Sequence, residues 1–138
     1  MARPAGYSGT PLPKKLGIKD GHVVALLDQP PELAELLVPL PEPVELRADL
    51  RRSPDVIVAF FDRRAALHRR LPVMSRAIFP DGAMWIAWPK KSSGVSTDIT
   101  EDTVREIALP TGLVDNKVCA ISEVWSGLRL VHRRENRR

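Results

Sequence analysis

Asp55-Val56-Ile57-Val58-Ala59-Phe60-Phe61-Asp62, running on into Arg63-Arg64-Ala65-Ala66-Leu67-His68-Arg69-Arg70-Leu71-Pro72-Val73-Met74-Ser75-Arg76-Ala77-Ile78, decides the fold. Residues 56–61 are apolar without alternation, and a short, β-branched, unbroken apolar run is the pattern of a strand buried on both faces. The period then changes. Leu67, Leu71, Met74 and Ile78 are spaced four, three and four apart, which puts them on one face of a helix. Asp62 is placed to cap that helix, and Pro72 predicts a kink or two abutting helices, because an interior proline deletes a backbone donor and clashes with the preceding turn. A doubly buried strand feeding an amphipathic helix is the repeating unit of an α/β sheet.

Upstream, His22-Val23-Val24-Ala25-Leu26-Leu27 is a second such run, bounded by Gly21 and by Asp28-Gln29-Pro30-Pro31. Pro31 suits the first position of a short helix carrying Leu33, Leu36 and Leu37, which Pro39 ends. Val44-Glu45-Leu46-Arg47 alternates like an edge strand. Only Ala48 to Pro54 separates it from the Asp55 run, and seven residues reach at most about 25 Å. The edge strand therefore runs antiparallel, or the crossover is an extended segment without a helix. Downstream, Asp81-Gly82 marks a turn into Ala83-Met84-Trp85-Ile86-Ala87-Trp88, apolar on both faces and read as a central strand. Thr100 reads as a helix cap, with Glu101 and Asp102 in the first turn and Ile99 placed to staple onto Val104. Lys117 to Val124 and Leu128 to Arg134, joined by Trp125-Ser126-Gly127, predict an antiparallel hairpin. The expected organisation is an irregular N-terminal arm over 1–21, with one helical turn near Lys14 to Gly17, then a single α/β domain over 22–134 and a basic tail over 135–138. Its sheet is mostly parallel and closes on an antiparallel hairpin, in three layers.

The 138 residues carry a net charge of +4, and the charge sits at the ends. Residues 1–22 hold Arg3, Lys14, Lys15 and Lys19 against Asp20, and residues 129–138 hold five arginines against Glu135, so the stretch between them is mildly acidic. That distribution reads as solubilising termini, with nucleic-acid association through the basic ends as a weaker alternative. No apolar run approaches a membrane span and no secretory leader is legible, which predicts a cytoplasmic protein without membrane contact. Cys119, the single cysteine, lies in an apolar run and reads as structural.

Leu16-Gly17-Ile18-Lys19-Asp20-Gly21-His22-Val23-Val24, Phe79-Pro80-Asp81-Gly82-Ala83-Met84-Trp85-Ile86 and Trp125-Ser126-Gly127-Leu128-Arg129 resemble, in that order, the approach to the first strand, the turn into a central strand and the final hairpin of a shortened S-adenosylmethionine-dependent methyltransferase. The resemblance implies a Rossmann-like fold. Gly6-Tyr7-Ser8-Gly9-Thr10-Pro11-Leu12, Trp88-Pro89-Lys90-Lys91-Ser92-Ser93-Gly94, Asp115-Asn116-Lys117-Val118-Cys119 and the Trp125 segment also resemble a bacterial family designated domain of unknown function 3052, implying bacterial cytosolic origin.

The cofactor turn departs from the methyltransferase pattern. Asp28-Gln29-Pro30-Pro31-Glu32 has no glycine to let backbone approach a ligand, two prolines without N–H groups, and a carboxylate in the helix's first turn. S-adenosylmethionine is accordingly disfavoured, no cofactor is predicted, and Glu45 and Asp49 are left unassigned as ribose partners. The predicted binding site is instead Lys90, Lys91, Ser92, Ser93 and Thr97, on a loop after a central strand, where open α/β sheets take ligands and where two ammonium groups and several hydroxyls suit an anion. His22, His68 and His132 are far apart, so no metal site is predicted, and no catalytic set is recognisable. The arginines of the 63–78 helix read as a solvated face, Trp85 and Trp88 as core, and Tyr7-Ser8-Gly9-Thr10 as a packed arm or a lid. The functional expectation is a non-catalytic methyltransferase-like domain binding a small anionic ligand or a protein partner, with an atypical S-adenosylmethionine-dependent methyltransferase as the alternative.

Overall fold

Three apolar runs, fully buried except at Val23, become adjacent parallel strands. In the computed structural model, which describes residues 9–137, β1 (Val23–Leu27), β3 (Val56–Phe60) and β4 (Ala83–Pro89) lie side by side. The short β2 (Glu45–Arg47) pairs with β1 in parallel, while β5 (Leu113–Ala120) and β6 (Trp125–His132) form the antiparallel hairpin. Six strands make one sheet in the order β2-β1-β3-β4-β6-β5, so β6 inserts between β4 and β5.

Alternation sorts the strands' side chains into two cores. Ala25, Leu27, Ile57, Ala59, Met84 and Ile86 face α3 (Arg64–Ile78) and α4 (Glu101–Ala108), while Val24, Leu26, Val58, Trp85 and Ala87 face the opposite layer. There Leu12 and Leu16, from α1 (Leu12–Lys15) and its cap, pack beside Leu33 of α2 (Leu33–Leu36). Leu67, Leu71, Met74 and Ile78 are all buried, as their spacing predicts, and Thr100 caps α4 through a reciprocal box with Thr103. The fold is a three-layer, mostly parallel α/β sheet. Among the described residues no helix is long and apolar enough to cross a membrane.

One open alternative is resolved, and several local expectations are corrected. The crossover from β2 is the extended one, and its shortness is explained by register: Arg47 lies level with Ala25 and Val56 with Val24. The link must therefore pass one intervening strand, two spacings or roughly 10 Å, but return only about one residue along it. Pro72 sits inside one continuous helix. Asp62 does not cap that helix; Arg64 N–H donates instead to Asp98 Oδ1 at 2.6 Å, a cap from 34 residues away that local pattern cannot reveal.

The hairpin turn is not Trp125-Ser126-Gly127, which belongs to β6, but residues 121–124, where Ser122 Oγ accepts from Val124 N–H and Trp125 N–H. Gly127 is a packing glycine: a Cβ there would stand 2.8 Å from Ile121 Cδ1 and 3.1 Å from a Trp85 ring carbon. The chain's ends are also more structured than expected. Leu12, Leu16 and Ile18 are buried, Trp85 Nε1 donates to Leu16 O at 3.0 Å, and Arg137 Nε donates to His132 O. Tyr7 and Ser8 of the expected arm or lid, with Arg3 and Arg138, lie outside the described residues.

Candidate functional site

From β1 the chain turns to β2 on one side, and β3 lies on the other, so the carboxyl ends of β1 and β3 diverge at a topological switch point. Connections leaving in opposite directions open a crevice there, the usual ligand position in open α/β sheets. A crevice of about 390 Å³ occupies this place, lined by Asp28 after β1, Phe61 and Asp62 after β3, Arg69 and Arg70 of α3, and Trp125. Asp28 has φ 55°, in the left-handed region, which aspartate tolerates better than most residues. The turn after β1 thus takes a backbone shape that usually calls for glycine, without containing one. Trp125, opposite Pro89 in the ladder, stands edge-on to Phe60 with ring centroids 5.1 Å apart.

The polar groups of the crevice are balanced. Two carboxylates, Asp28 and Asp62, stand with two guanidinium groups, Arg69 and Arg70, and Arg70 Nη1 lies 3.6 Å from Asp28 Oδ2. Both partners of that pair are exposed, so it adds little to stability.

The loop chosen from sequence emerges at the same rim, after β4. Its residues divide into two kinds. Ser93 Oγ donates to Lys90 O at 2.6 Å and accepts from Val95 N–H, while Thr97 Oγ1 donates to Asp62 O at 2.8 Å and accepts from Ile99 N–H. These hydroxyls hold the loop's shape and tie it to the strand end that forms the crevice. Lys90, Lys91 and Ser92 make no side-chain hydrogen bond or ion pair with a described residue. Glu45 is ion-paired with Arg47, and Asp49 accepts from Arg51 N–H at 3.0 Å.

Sequence reasoning missed the crevice itself. Locally, Arg69 and Arg70 read as part of a solvated helix face and Trp125 as part of a turn. The available signal was positional: Asp28 and Asp62 each follow the last residue of a doubly buried run, which places both at one rim once the strands are parallel. Among the described residues, no three of His, Cys, Asp and Glu are grouped to hold a metal ion.

No family model matches the chain, and no curated protein matches it, so the likeness to family 3052 rests on the residues quoted above. Solved structures do match. A SAM-dependent methyltransferase from Aquifex aeolicus superposes with a TM-score of 0.59 at 15% identity, covering 85% of each chain. A protein in the NADB-Rossmann superfamily from Streptococcus agalactiae gives 0.55 at 7% identity over 93% of this chain and 70% of that one. Magnesium protoporphyrin IX methyltransferase from Synechocystis, solved with bound SAH, gives 0.53 at 11% identity over 83% and 75%. Identities this low speak to fold and not to activity. The chain has the Rossmann-like fold that these methyltransferases share.

Proposed function

We propose that this chain is a cytosolic binding domain of the methyltransferase fold, and that the switch-point crevice takes an adenosyl amino-acid zwitterion of the S-adenosylmethionine class. The observation that carries the reading is the balanced charge of that crevice: carboxylates at Asp28 and Asp62 beside guanidinium groups at Arg69 and Arg70, with Trp125 at the wall. A zwitterion brings an ammonium for the former and a carboxylate for the latter, and an aromatic face suits a sulfonium or an adenine ring. The solved neighbours include a methyltransferase with SAH bound, which supports the same ligand class. The left-handed Asp28 supplies the turn that glycine would, while Pro30 and Pro31 withhold backbone donors, so affinity depends on side chains.

Calorimetric titration with S-adenosylmethionine and S-adenosylhomocysteine tests this. Saturable binding is expected, weakened roughly tenfold by Asp62→Asn or Arg69→Gln through loss of one charge-assisted bond. No heat with either ligand, together with no thermal stabilisation at millimolar concentration, contradicts the reading.

A second reading keeps the lysine loop as the binding element of a non-catalytic domain. Lys90, Lys91 and Ser92, without side-chain partners among the described residues, favour an anion there. Unchanged anion affinity in the Lys90→Ala, Lys91→Ala double variant removes it.

A further inference from the structure

The fold brings lysines of the N-terminal segment and Arg129 of the basic C-terminal stretch to one place. At the rim opposite the crevice, where β1, β3 and β4 begin, lies a pocket of about 610 Å³. Lys14 and Lys19 reach it from the N-terminal segment, Arg129 from β6 and Lys117 from β5; Asp55 and Asp81 are its carboxylates. The meeting is fastened by hydrogen bonds. Lys117 Nζ donates to Lys15 O at 3.0 Å, Lys15 Nζ donates to Ala120 O at 3.3 Å, and the indole of Trp85 holds Leu16 O.

Two details separate this pocket from a solvated surface. Arg129 is half-buried, yet its guanidinium makes no hydrogen bond or ion pair with any described residue. Burial, and then the nearby Arg137, draw its guanidinium down from the ordinary arginine range. A partly desolvated cation without a counter-ion is costly, and such sites are where anionic ligands bind. The second detail is the bulge in β5. Asp115 pairs with Leu130 and Lys117 with Arg129, with Asn116 as the extra residue. In a regular strand residues 115 and 117 share a face. The bulge sends Asp115 to the α4 side, where Arg105 Nε binds it at 3.1 Å, and leaves Lys117 beside Arg129. An acid is thereby kept out of the pocket. Asp55 and Asp81 remain, fewer than the four cations, and the Asp55 carboxylate already accepts from Val23 N–H at 2.7 Å.

We propose that this pocket binds a small ligand bearing two or more phosphate groups, held by Lys14, Lys19, Lys117 and Arg129. Its bounded volume is that of a small-molecule site, and the half-exposed Phe79 on its wall offers one ring face. A protein that tracks nucleic-acid strands uses an open groove with successive aromatic platforms, which favours the small ligand here.

The test is a titration of the full chain with inorganic tripolyphosphate at low salt, followed by nuclear magnetic resonance and calorimetry. Saturable binding is expected, about tenfold weaker in Arg129→Gln through loss of a charge-assisted bond. Because Arg129 lies in a strand, the exposed Lys14→Gln, Lys19→Gln double variant provides the independent check and should weaken binding at least as much. Absence of binding overturns the proposal. So does binding that survives both variants, binding lost only in Lys90→Gln, Lys91→Gln, or a single-stranded oligonucleotide that binds through these residues when tripolyphosphate does not.

Discussion

At one rim of the sheet Asp28, Asp62, Arg69 and Arg70 share a crevice of about 390 Å³ in which the charges balance; at the other, Lys14, Lys19, Lys117 and Arg129 outnumber Asp55 and Asp81 around about 610 Å³. The first cavity follows from topology, since parallel strands whose connections diverge must open there. The second follows from chain closure, because the N-terminal segment packs on the face of β4 that carries Trp85 and the final hairpin extends the sheet beside that strand. One sheet therefore presents two kinds of surface: one suited to a zwitterion, the other to a polyanion. Neither sequence position nor net charge alone distinguishes them.

The largest expected effect comes from Trp85, which underlies the basic rim. Trp85→Ala should cost about 3–5 kcal/mol in urea unfolding, the range for emptying a buried aromatic site. Trp85→Phe should cost about 1 kcal/mol by losing the bond to Leu16 O, and should weaken tripolyphosphate more than S-adenosylhomocysteine. Equal weakening of both would erase the distinction between the rims.

An intermediate effect belongs to the crevice rim, where the cap of α3 is supplied across the loop. Asp98→Ala should destabilise by about 1 kcal/mol, while Asp62→Ala stays within about 0.5 kcal/mol, both read from denaturation midpoints. The reverse ranking would restore the local cap expected from sequence.

The smallest effect concerns Cys119, half-buried beside the Trp85 core. Burial raises its thiol above the ordinary range, outweighing the opposing pull of Lys15 and Lys117. The folded chain therefore keeps the proton longer than the unfolded one, and the resulting stability is present below the ordinary thiol range and lost as pH rises from there through the raised folded value. Alkylation at neutral pH should accordingly be slower in the folded chain than in urea; equal rates would contradict the burial argument.

What was legible in the sequence, and what was not, follows the range of the interactions involved. The runs at 23–27, 56–60 and 83–89 and the four-three-four spacing of α3 are local patterns fixed by burial, and they read correctly. The Asp98 cap, the parallel pairing of β2, the Ser122 turn and the packing of Gly127 against Ile121 and Trp85 each depend on partners distant in sequence or on one side-chain hydrogen bond. For the site, the rim after β4 was legible because strand direction is. The crevice was hidden because Asp28 and Asp62 are 34 positions apart and become neighbours only once β1 and β3 pair. The basic pocket is hidden for the same reason on a larger scale: its cations lie up to 115 positions apart, and long-range contacts such as Lys117 Nζ to Lys15 O and Lys15 Nζ to Ala120 O bring the two segments together.

Backbone amide and indole resonances, followed while S-adenosylhomocysteine and then tripolyphosphate are added to the same sample, test the separation of the two rims most directly. The first ligand should shift Asp28, Phe61, Asp62 and the Trp125 indole, and the second Lys14, Lys19, Lys117 and Arg129, with each set unaffected by the other ligand. Overlapping shifts, or shifts from either ligand at the wrong rim, would contradict the account.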